Sequence, residues 1–403
     1  MSARDAGAKR RAYAGPALFS FGFRPFFLGA TLFAGLAVPL WMAAFAHGAA
    51  LGPDGDALAW HAHEMIFGFV GAVVAGFLLT AVPNWTGRAP VMGMPLALLF
   101  GLWFAGRTAM ALPAPGAAGR LVDTLFLIAL ALTIGREVFA GRNWRNLPVW
   151  GLVTLFAAAN ICWHAEALGA LTHSPGIGKR LALAVLTLLM SFIGGRIIPS
   201  FTTNWMKKQK LHPEPAPFGR FDQLVLWATI VAMVMWVGWP EAAQTGVMLA
   251  VAAALHLGRL LRWQGWRTGS EPLVLILHIA YGWIVVALAI LAANVFVPGL
   301  FGGASALHAL TAGAIGQLTL AVMTRASLGH VGRPLTADRP TVIIYALVFA
   351  GAVLRLVLPF TPLGYVLGAS IAGTVWAAGF LLFAAHYGPM LAGRRPPTRP
   401  ASN

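Results

Sequence analysis

Histidine is the residue type with the greatest potential for chemistry in this chain. The 403 residues include 11 histidines beside 12 carboxylates, although only 10% of the residues are charged. Ionisable or coordinating side chains are costly within a membrane and normally face the interior of a helical bundle. Imidazoles in such places can bind a metal ion or a haem iron, or carry protons. Four histidines near the ends of apolar segments, at similar depth, are candidates: His61, His63, His164 and His308.

The segment W-H-A-H-E-M, which starts at Trp60, contains two histidines and a carboxylate. Successive side chains on a helix are about 100° apart, so His61 and His63 point about 200° apart and cannot grip one ion together. By the same spacing, His61 and Glu64 share a face. We expect one histidine to be an axial or metal ligand, while the other handles protons with Glu64 or orients a ligand. The alternative is a cap-like cluster with Glu64 favourable near the helix start.

Polar side chains recur at helical spacing beside two further histidines. Asn160 and His164 are four residues apart and share a helix face, and His308 begins a polar stripe that includes Thr311. Either pattern also fits hydrogen bonds between membrane helices. Arg196 lies near the end of the sixth apolar segment, where it could neutralise a haem propionate or extend to the membrane surface.

The elements that must position these side chains are long apolar segments. The chain is 59% hydrophobic, and its mean hydropathy is +0.75. Its charged residues are therefore too few to cover a water-facing surface, and a bilayer is the expected solvent. A membrane helix needs about 20 apolar residues. The sequence predicts an all-α polytopic bundle of about twelve such helices, approximately 26–47, 60–82, 91–112, 121–140, 147–168, 180–201, 221–239, 242–261, 272–294, 304–325, 341–359 and 362–386.

The distribution of Lys and Arg orients this bundle. If the N-terminus is cytoplasmic, most of the 28 basic residues fall at the two termini or in cytoplasmic connections. The outer connections then contain only Arg120, Lys179 and Arg180. Such an excess is typical of the cytoplasmic loops of membrane proteins. The sequence therefore predicts that both termini are cytoplasmic.

The longest polar connection, approximately residues 202–220, lies near the middle of the chain. It separates spans within approximately 26–201 from spans within 221–386, and we place it in the cytoplasm. We predict a single integral membrane domain over residues 1–403. The apolar run from 26 to 46 is long enough to span and lacks a clear cleavage signal, which predicts a retained first helix.

Composition also excludes several kinds of site. The net charge of +16 comes from basic residues scattered singly between apolar segments, so we expect no nucleic-acid partner. The single cysteine, Cys162, excludes an internal disulfide, a Cys-rich zinc site and a cysteine-ligated iron–sulfur cluster. Any redox metal must therefore be held mainly by histidine.

Five stretches of the chain resemble the NnrS family, polytopic haem- and copper-containing membrane proteins of the bacterial nitric-oxide response. They are S-F-G-F-R-P-F-F from Ser20, W-H-A-H-E-M-I-F-G-F from Trp60, G-G-R-I-I-P-S-F-T from Gly194, L-H-I-A-Y-G-W from Leu277 and H-A-L-T-A-G-A-I-G-Q-L-T-L-A-V-M-T-R-A-S-L-G-H-V-G-R-P-L from His308. The resemblance implies a twelve-helix protein of the bacterial cytoplasmic (inner) membrane. It also implies haem b, with copper as a second candidate, and a role in removing or withstanding nitric oxide.

The resemblance extends to individual side chains, and His164 is added to them because of its depth alone. The predicted metal ligands are His61, His63, His164, His278, His308 and His330. The predicted cofactor-binding residues are His63, His278, His308, Arg196 and Arg325. The predicted catalytic residues are Glu64 and His61.

The expected function is binding of nitric oxide and its reduction to nitrous oxide, which protects against nitrosative stress. This reduction needs two electrons and two protons. Quinol or a separate donor would supply the electrons, and Glu64 with His61 or His63 would admit protons. Two alternatives remain: a secondary transporter, whose architecture twelve spans with a central loop also fit, and a non-catalytic nitric-oxide sensor or haem-copper handling protein.

Overall fold

The computed structural model describes residues 13–113, 116–172 and 175–394, and the regular structure within these residues is helical throughout. Twelve of the helices described there are long and apolar enough to cross a membrane, as predicted. In chain order, α1 to α12 are Phe23–His47, Ala57–Thr86, Met94–Ala111, Gly116–Ala140, Trp144–Ala167, Ile177–Lys208, Arg220–Gly238, Ala243–Arg262, Pro272–Phe296, Gly303–Val331, Arg339–Val357 and Tyr365–Ala392. The protein is a multi-pass membrane protein.

Three helices continue about two turns beyond the ends that hydropathy predicts. Helix α6 continues to Lys208, α10 to Val331 and α12 to Ala392. Basic and polar residues form helices well, so a helix does not end where the apolar run ends. Residues 202–208 of the connection predicted at about 202–220 continue α6 as a helix, and residues 209–219 connect it to α7.

Local signals set the ends of the helices that surround the site. At the start of α2, the Asp56 carboxylate accepts hydrogen bonds from the backbone N–H groups of Leu58 and Ala59. Gly48 follows α1 and Gly87 follows α2, both in the left-handed conformation that glycine adopts without strain. These caps satisfy backbone groups that have no partner within the helix.

The helices close into one bundle. Helices adjacent in the chain pack against each other, and α12 packs against α1. The three longest helices, α2, α6 and α10, line a common cavity. We refer to the end of the bundle that holds Phe23 as the near end, and to the end that holds His47 as the far end.

Helices α2 and α10 each contain a seven-residue π-helical segment, Glu64–Val70 and Ala309–Ile315. Each segment begins directly after a histidine, His63 in α2 and His308 in α10. A π turn contains more residues than an α turn, so side chains beyond it no longer follow the α-helical spacing. Such turns are frequent at functional sites.

A tryptophan indole supports the backbone of each π segment. Trp103 Nε1 donates to the carbonyl oxygen of Gly68 at 2.9 Å, and Trp376 Nε1 donates to that of Ala312 at 3.2 Å. Within a membrane, backbone groups must find partners in the protein itself. The two indoles therefore stabilise the irregular turns from neighbouring helices.

Candidate functional site

His61 and His308 face each other across a cavity at the far end of the bundle. Their ring centroids are 6.4 Å apart, and the ring planes differ by only 10°. The cavity has an empty volume of about 680 Å³ and is lined by α1, α2, α10, α11 and α12. Its lining includes Trp41, Met65, Thr311, Gly351, Arg355 and Trp376.

Hydrogen bonding fixes the tautomer of His308. Its Nδ1 lies 2.6 Å from the carbonyl oxygen of Ala304, one turn earlier. A carbonyl can only accept, so Nδ1 carries the proton and the Nε2 lone pair is free. A backbone carbonyl bonded to one ring nitrogen is the usual partner of a histidine whose other nitrogen binds a metal.

His61 is held by ring packing. It stacks on the indole of Trp41 with ring centroids 3.9 Å apart. Its Nδ1 is buried and has no hydrogen-bond partner among the described residues. Because no hydrogen bond holds its Nδ1, the His61 imidazole can move from its position more easily than that of His308.

The distance between the two ring centroids matches that of two histidines on one metal ion, which is roughly 6 Å for metal–nitrogen bonds of about 2.0–2.1 Å. The two rings are stacked in this structure, so each would turn to aim a ring nitrogen at the ion. Arg355 adds a positive charge to the same cavity. Its Nη2 donates to the hydroxyl of Tyr365 at 2.7 Å, while its Nη1 is buried without a partner in the described part of the chain. That free donor fits an anionic group such as a haem propionate.

A second polar cluster lies at the far end, on another face of α2. We refer to it as the buried ionic cluster. Each of its residues is at most 5% exposed. They come from α2, α3, α4 and α5, and they are His63, Glu64, Arg107, Asp123, Asn160 and His164.

His63 holds a proton on Nε2 and shares another through Nδ1. Its Nε2 is 3.1 Å from Asn160 Oδ1 and 3.2 Å from Asp123 Oδ2, and both oxygens accept. Asn160 Nδ2 donates to Asp123 Oδ2 at 2.9 Å, which fixes the orientation of the amide. His63 Nδ1 is 2.9 Å from Glu64 Oε1, so one proton lies between imidazole and carboxyl.

Arg107 bridges the two carboxylates of the cluster. Its Nη1 is 2.5 Å from Glu64 Oε1, and its Nη2 contacts Asp123 Oδ1. A methyl group at Gly68 would lie 2.6 Å from Arg107 Nη1, so this glycine in the π segment leaves room for the guanidinium. Two carboxylates face one guanidinium without contact with water, and buried charges need compensation. The cluster therefore needs one more positive charge, either a proton or a metal ion.

The same cluster contains a possible ligand set for such an ion. His63, Asp123 and His164 each offer a ligand atom, and these atoms lie within 4.8 Å of one another. His164 Nε2 is 2.8 Å from Asp123 Oδ2, and its Nδ1 is buried without a partner among the described residues. Two imidazoles and one carboxylate suit iron, copper or zinc.

The prediction that His61 and Glu64 share a face is wrong. Glu64 lies with His63 and Arg107 in the buried ionic cluster, whereas His61 lines the cavity. The π segment begins at Glu64, and the guanidinium of Arg107 draws the carboxylate to its side of α2. The predicted separation of His61 from His63 agrees with the structure. The cap alternative does not, because Asp56 caps this helix.

The other predicted site residues lie away from both places. His278 Nε2 is 2.8 Å from Thr202 Oγ1, near the start of α9 at the near end. His330 packs beside the rings of Phe21 and Phe23, with centroids 5.3 and 5.5 Å away. Arg196 lies over the ring of Phe192 and Arg325 over that of Phe201, at 4.0 and 3.9 Å. Their predicted roles at the cofactor stay predictions.

Arg107, Asp123 and Arg355 are site residues that the sequence reasoning did not assign. Each is a charged residue within an apolar span, which is the signal that could have found them. Arg107 and Asp123 also lie at equal depth, close to the far ends of α3 and α4. Only packing shows that they meet.

The near half holds a further buried network that sequence reasoning missed. Arg259 is fully buried, and its Nε donates to Asp222 Oδ1 at 2.7 Å. His256 Nδ1 lies 2.7 Å from the hydroxyl of Tyr281, to which Arg259 also donates. A methyl group at Gly195 would lie 2.0 Å from Arg259 Nη2. The G-G-R segment therefore leaves space for a guanidinium from α8.

Comparison with known proteins agrees with these observations. No curated protein matches the chain. The model of a protein family described as NnrS protein matches residues 17–395, which include the opposed histidines, the buried ionic cluster and all twelve helices. Because this match covers nearly the whole chain, the chain belongs to the NnrS family.

Proposed function

We propose that this protein binds haem b between His61 and His308 and reduces nitric oxide to nitrous oxide in a bacterial cytoplasmic membrane. The observation that carries the proposal is the pair of parallel imidazoles 6.4 Å apart. Membership of the NnrS family fits a membrane protein of the nitric-oxide response. As predicted from the basic residues, the near end would face the cytoplasm.

The two histidines have different roles in this proposal. His308 would be the permanent ligand, because its Nδ1–H is anchored on Ala304 and its Nε2 has a free lone pair. His61 would be the exchangeable one, because it stacks on Trp41 and its Nδ1 has no hydrogen-bond partner among the described residues. A bound haem would supply an iron that takes up nitric oxide and transfers electrons to it. Movement of the His61 side chain would open space in the cavity for the gas.

Arg355 would orient the group. Its unpartnered Nη1 can form a charge-assisted hydrogen bond with a propionate. The Nη2 of the same guanidinium donates to the Tyr365 hydroxyl, so the group is already positioned. The positive charge also compensates a propionate that would otherwise be buried uncompensated.

The buried ionic cluster would supply protons. Reduction of two nitric-oxide molecules consumes two electrons and two protons and yields nitrous oxide and water. Glu64 and His63 share a proton, and Met65, the next residue, lines the cavity. Because the carboxyl lies on another face of α2 from the cavity, a released proton would have to pass around the helix beside Met65. Electrons would come from quinol or a separate donor.

A second candidate is haem-copper handling without turnover. The observation that favours it is the His63–Asp123–His164 ligand set, which could hold copper in place of the protons on the Nε2 atoms of His63 and His164. Metal analysis of the purified protein distinguishes the two. Copper that is bound stoichiometrically by the wild type and lost in Asp123→Asn supports a metal site in the cluster. A wild-type protein without copper supports a cluster that holds protons instead.

The test of the proposed function is spectroscopy followed by turnover. The protein is purified in detergent, and the reduced-minus-oxidised spectrum and anaerobic nitric-oxide consumption with a quinol are recorded. We expect b-type haem bands and consumption in the wild type and in a control variant, His386→Ala, whose histidine pairs with Asp338 outside the cavity. A protein that contains haem but consumes no nitric oxide would support a role as a sensor. A protein without haem would support a role in transport.

A further inference from the structure

A second cavity lies where the three longest helices meet, and its lining is apolar. It lies among α2, α6 and α10, and its empty space of about 650 Å³ includes the space at its open side. Val73, Phe77, Leu189 and Ile193 are representative of its walls. The one hydroxyl in the lining, on Thr319, donates to the carbonyl oxygen of Gly316 at 2.9 Å.

This lining selects for an apolar ligand. No charged side chain lines the cavity, so nothing there binds a phosphate, a carboxylate or the carbonyls of a quinone ring. Apolar spaces that exclude water accept xenon or similar molecules. A neutral diatomic gas suits this lining, because it needs no hydrogen bond.

Two side chains separate this cavity from the one between His61 and His308. Val70 and Ile315 line both cavities, so they form the partition between them. They are also the last residues of the two π segments, Glu64–Val70 and Ala309–Ile315. Both side chains are aliphatic, so a path between them would expose no polar group of either residue.

We propose that the apolar cavity stores nitric oxide and passes it to the histidine cavity between Val70 and Ile315. The proposal rests on the proposed function only for the identity and destination of the gas. The binding of an apolar gas depends on this cavity alone. The two parts can therefore fail separately.

The first experiment detects gas in the cavity with xenon, which requires no haem. The wild-type protein is crystallised or frozen under xenon pressure, and the site is located from its anomalous signal or density. We expect xenon among α2, α6 and α10, and its loss in Val74→Phe, which fills the cavity from α2. The control is Val234→Phe, at a residue 59% exposed on α7. A wild-type cavity without xenon overturns the proposal.

The second experiment measures passage with carbon monoxide, which binds reduced haem. After flash photolysis, we expect association to be about tenfold slower in Val70→Phe and Val74→Phe, because a bulkier side chain raises the barrier. Ile315→Ala should accelerate it. Val234→Phe should match the wild type.

The outcomes distinguish the binding of gas in the apolar cavity from its passage to the histidine cavity. Unchanged association in both cavity-filling variants, with an unaltered haem spectrum, overturns the passage even if xenon binds. If Val70→Phe does not fold, Val74→Phe and Ile315→Ala still decide the question, because neither adds bulk at the partition. A protein without haem refutes the proposed function, while xenon still reports whether the cavity takes a gas.

Discussion

His61 and His63 are two residues apart on α2, yet they belong to different sites. His61 stacks on Trp41 and faces His308, whereas His63 bonds to Glu64 and Asn160 in the buried ionic cluster. One helix thus presents a candidate ligand on one face and a candidate proton donor on the other. The short W-H-A-H-E-M segment joins both sites.

Replacement of His61 and of His308 should give variants that differ in haem content and in the spin state of the haem. His308→Ala removes the anchored ligand, so we expect nearly complete loss of haem. His61→Ala removes the exchangeable one, so haem should remain but change to a high-spin, five-coordinate state. Haem content and absorption spectra of the purified variants check this. Equal haem loss in both would refute the assignment of distinct roles.

Glu64→Gln should slow turnover without loss of haem. The amide keeps the size of the side chain but cannot release the shared proton, and loss of a general acid typically costs about 10²–10⁴-fold in rate. The measurement is anaerobic nitric-oxide consumption normalised to haem. Glu241→Gln, an exposed carboxylate in the α7–α8 connection, is the matched control. A Glu64→Gln variant with the wild-type rate would remove this residue from the proton path.

Hydropathy predicted the helices well but could not predict the face that Glu64 takes. Twelve apolar runs are visible in the sequence because lipid requires them. The π segment from Glu64 is not visible, since its backbone is stabilised by Trp103 on another helix. An α-helical wheel therefore placed Glu64 with His61.

The sequence of one helix also cannot predict which residues of other helices pair with its buried charges. Asp123 and Arg107 meet only because α3 packs against α4, and His164 joins them from α5. The positions of His61 and His308 within their spans indicated that both lie at the same depth in the membrane. That level holds two separate sites, and only the packing of five helices around one cavity shows which histidines pair.

Removal of Arg107 should destabilise the far half of the bundle. Arg107→Met leaves Glu64 and Asp123 buried without their shared guanidinium, and breaking a buried ion pair costs about 3–5 kcal/mol. The measurement is the thermal unfolding midpoint in detergent. In the double variant Arg107→Met with Asp123→Asn, one carboxylate is neutral, and part of the loss should be recovered. No recovery would show that Arg107 acts through packing.

Gly195→Ala should destabilise the near half. Its methyl group would lie 2.0 Å from Arg259 Nη2, a distance at which the buried guanidinium must move from Asp222. We expect a loss of about 1–3 kcal/mol, as for other overpacked cores. The control is Gly151→Ala, at a helical glycine where an added methyl group would meet no atom of another element within 4 Å, so this change should be neutral or stabilising. Equal midpoints for the two variants would contradict the account of the G-G-R segment.

The most direct test of the haem site is electron paramagnetic resonance of the oxidised wild-type protein, with His61→Ala beside it. A haem held by His61 and His308 predicts a low-spin ferric signal typical of two histidine ligands. In His61→Ala, this signal should convert to a high-spin one. A wild-type protein without haem, or a low-spin signal that persists in both His61→Ala and His308→Ala, would contradict the placement of haem between these two residues.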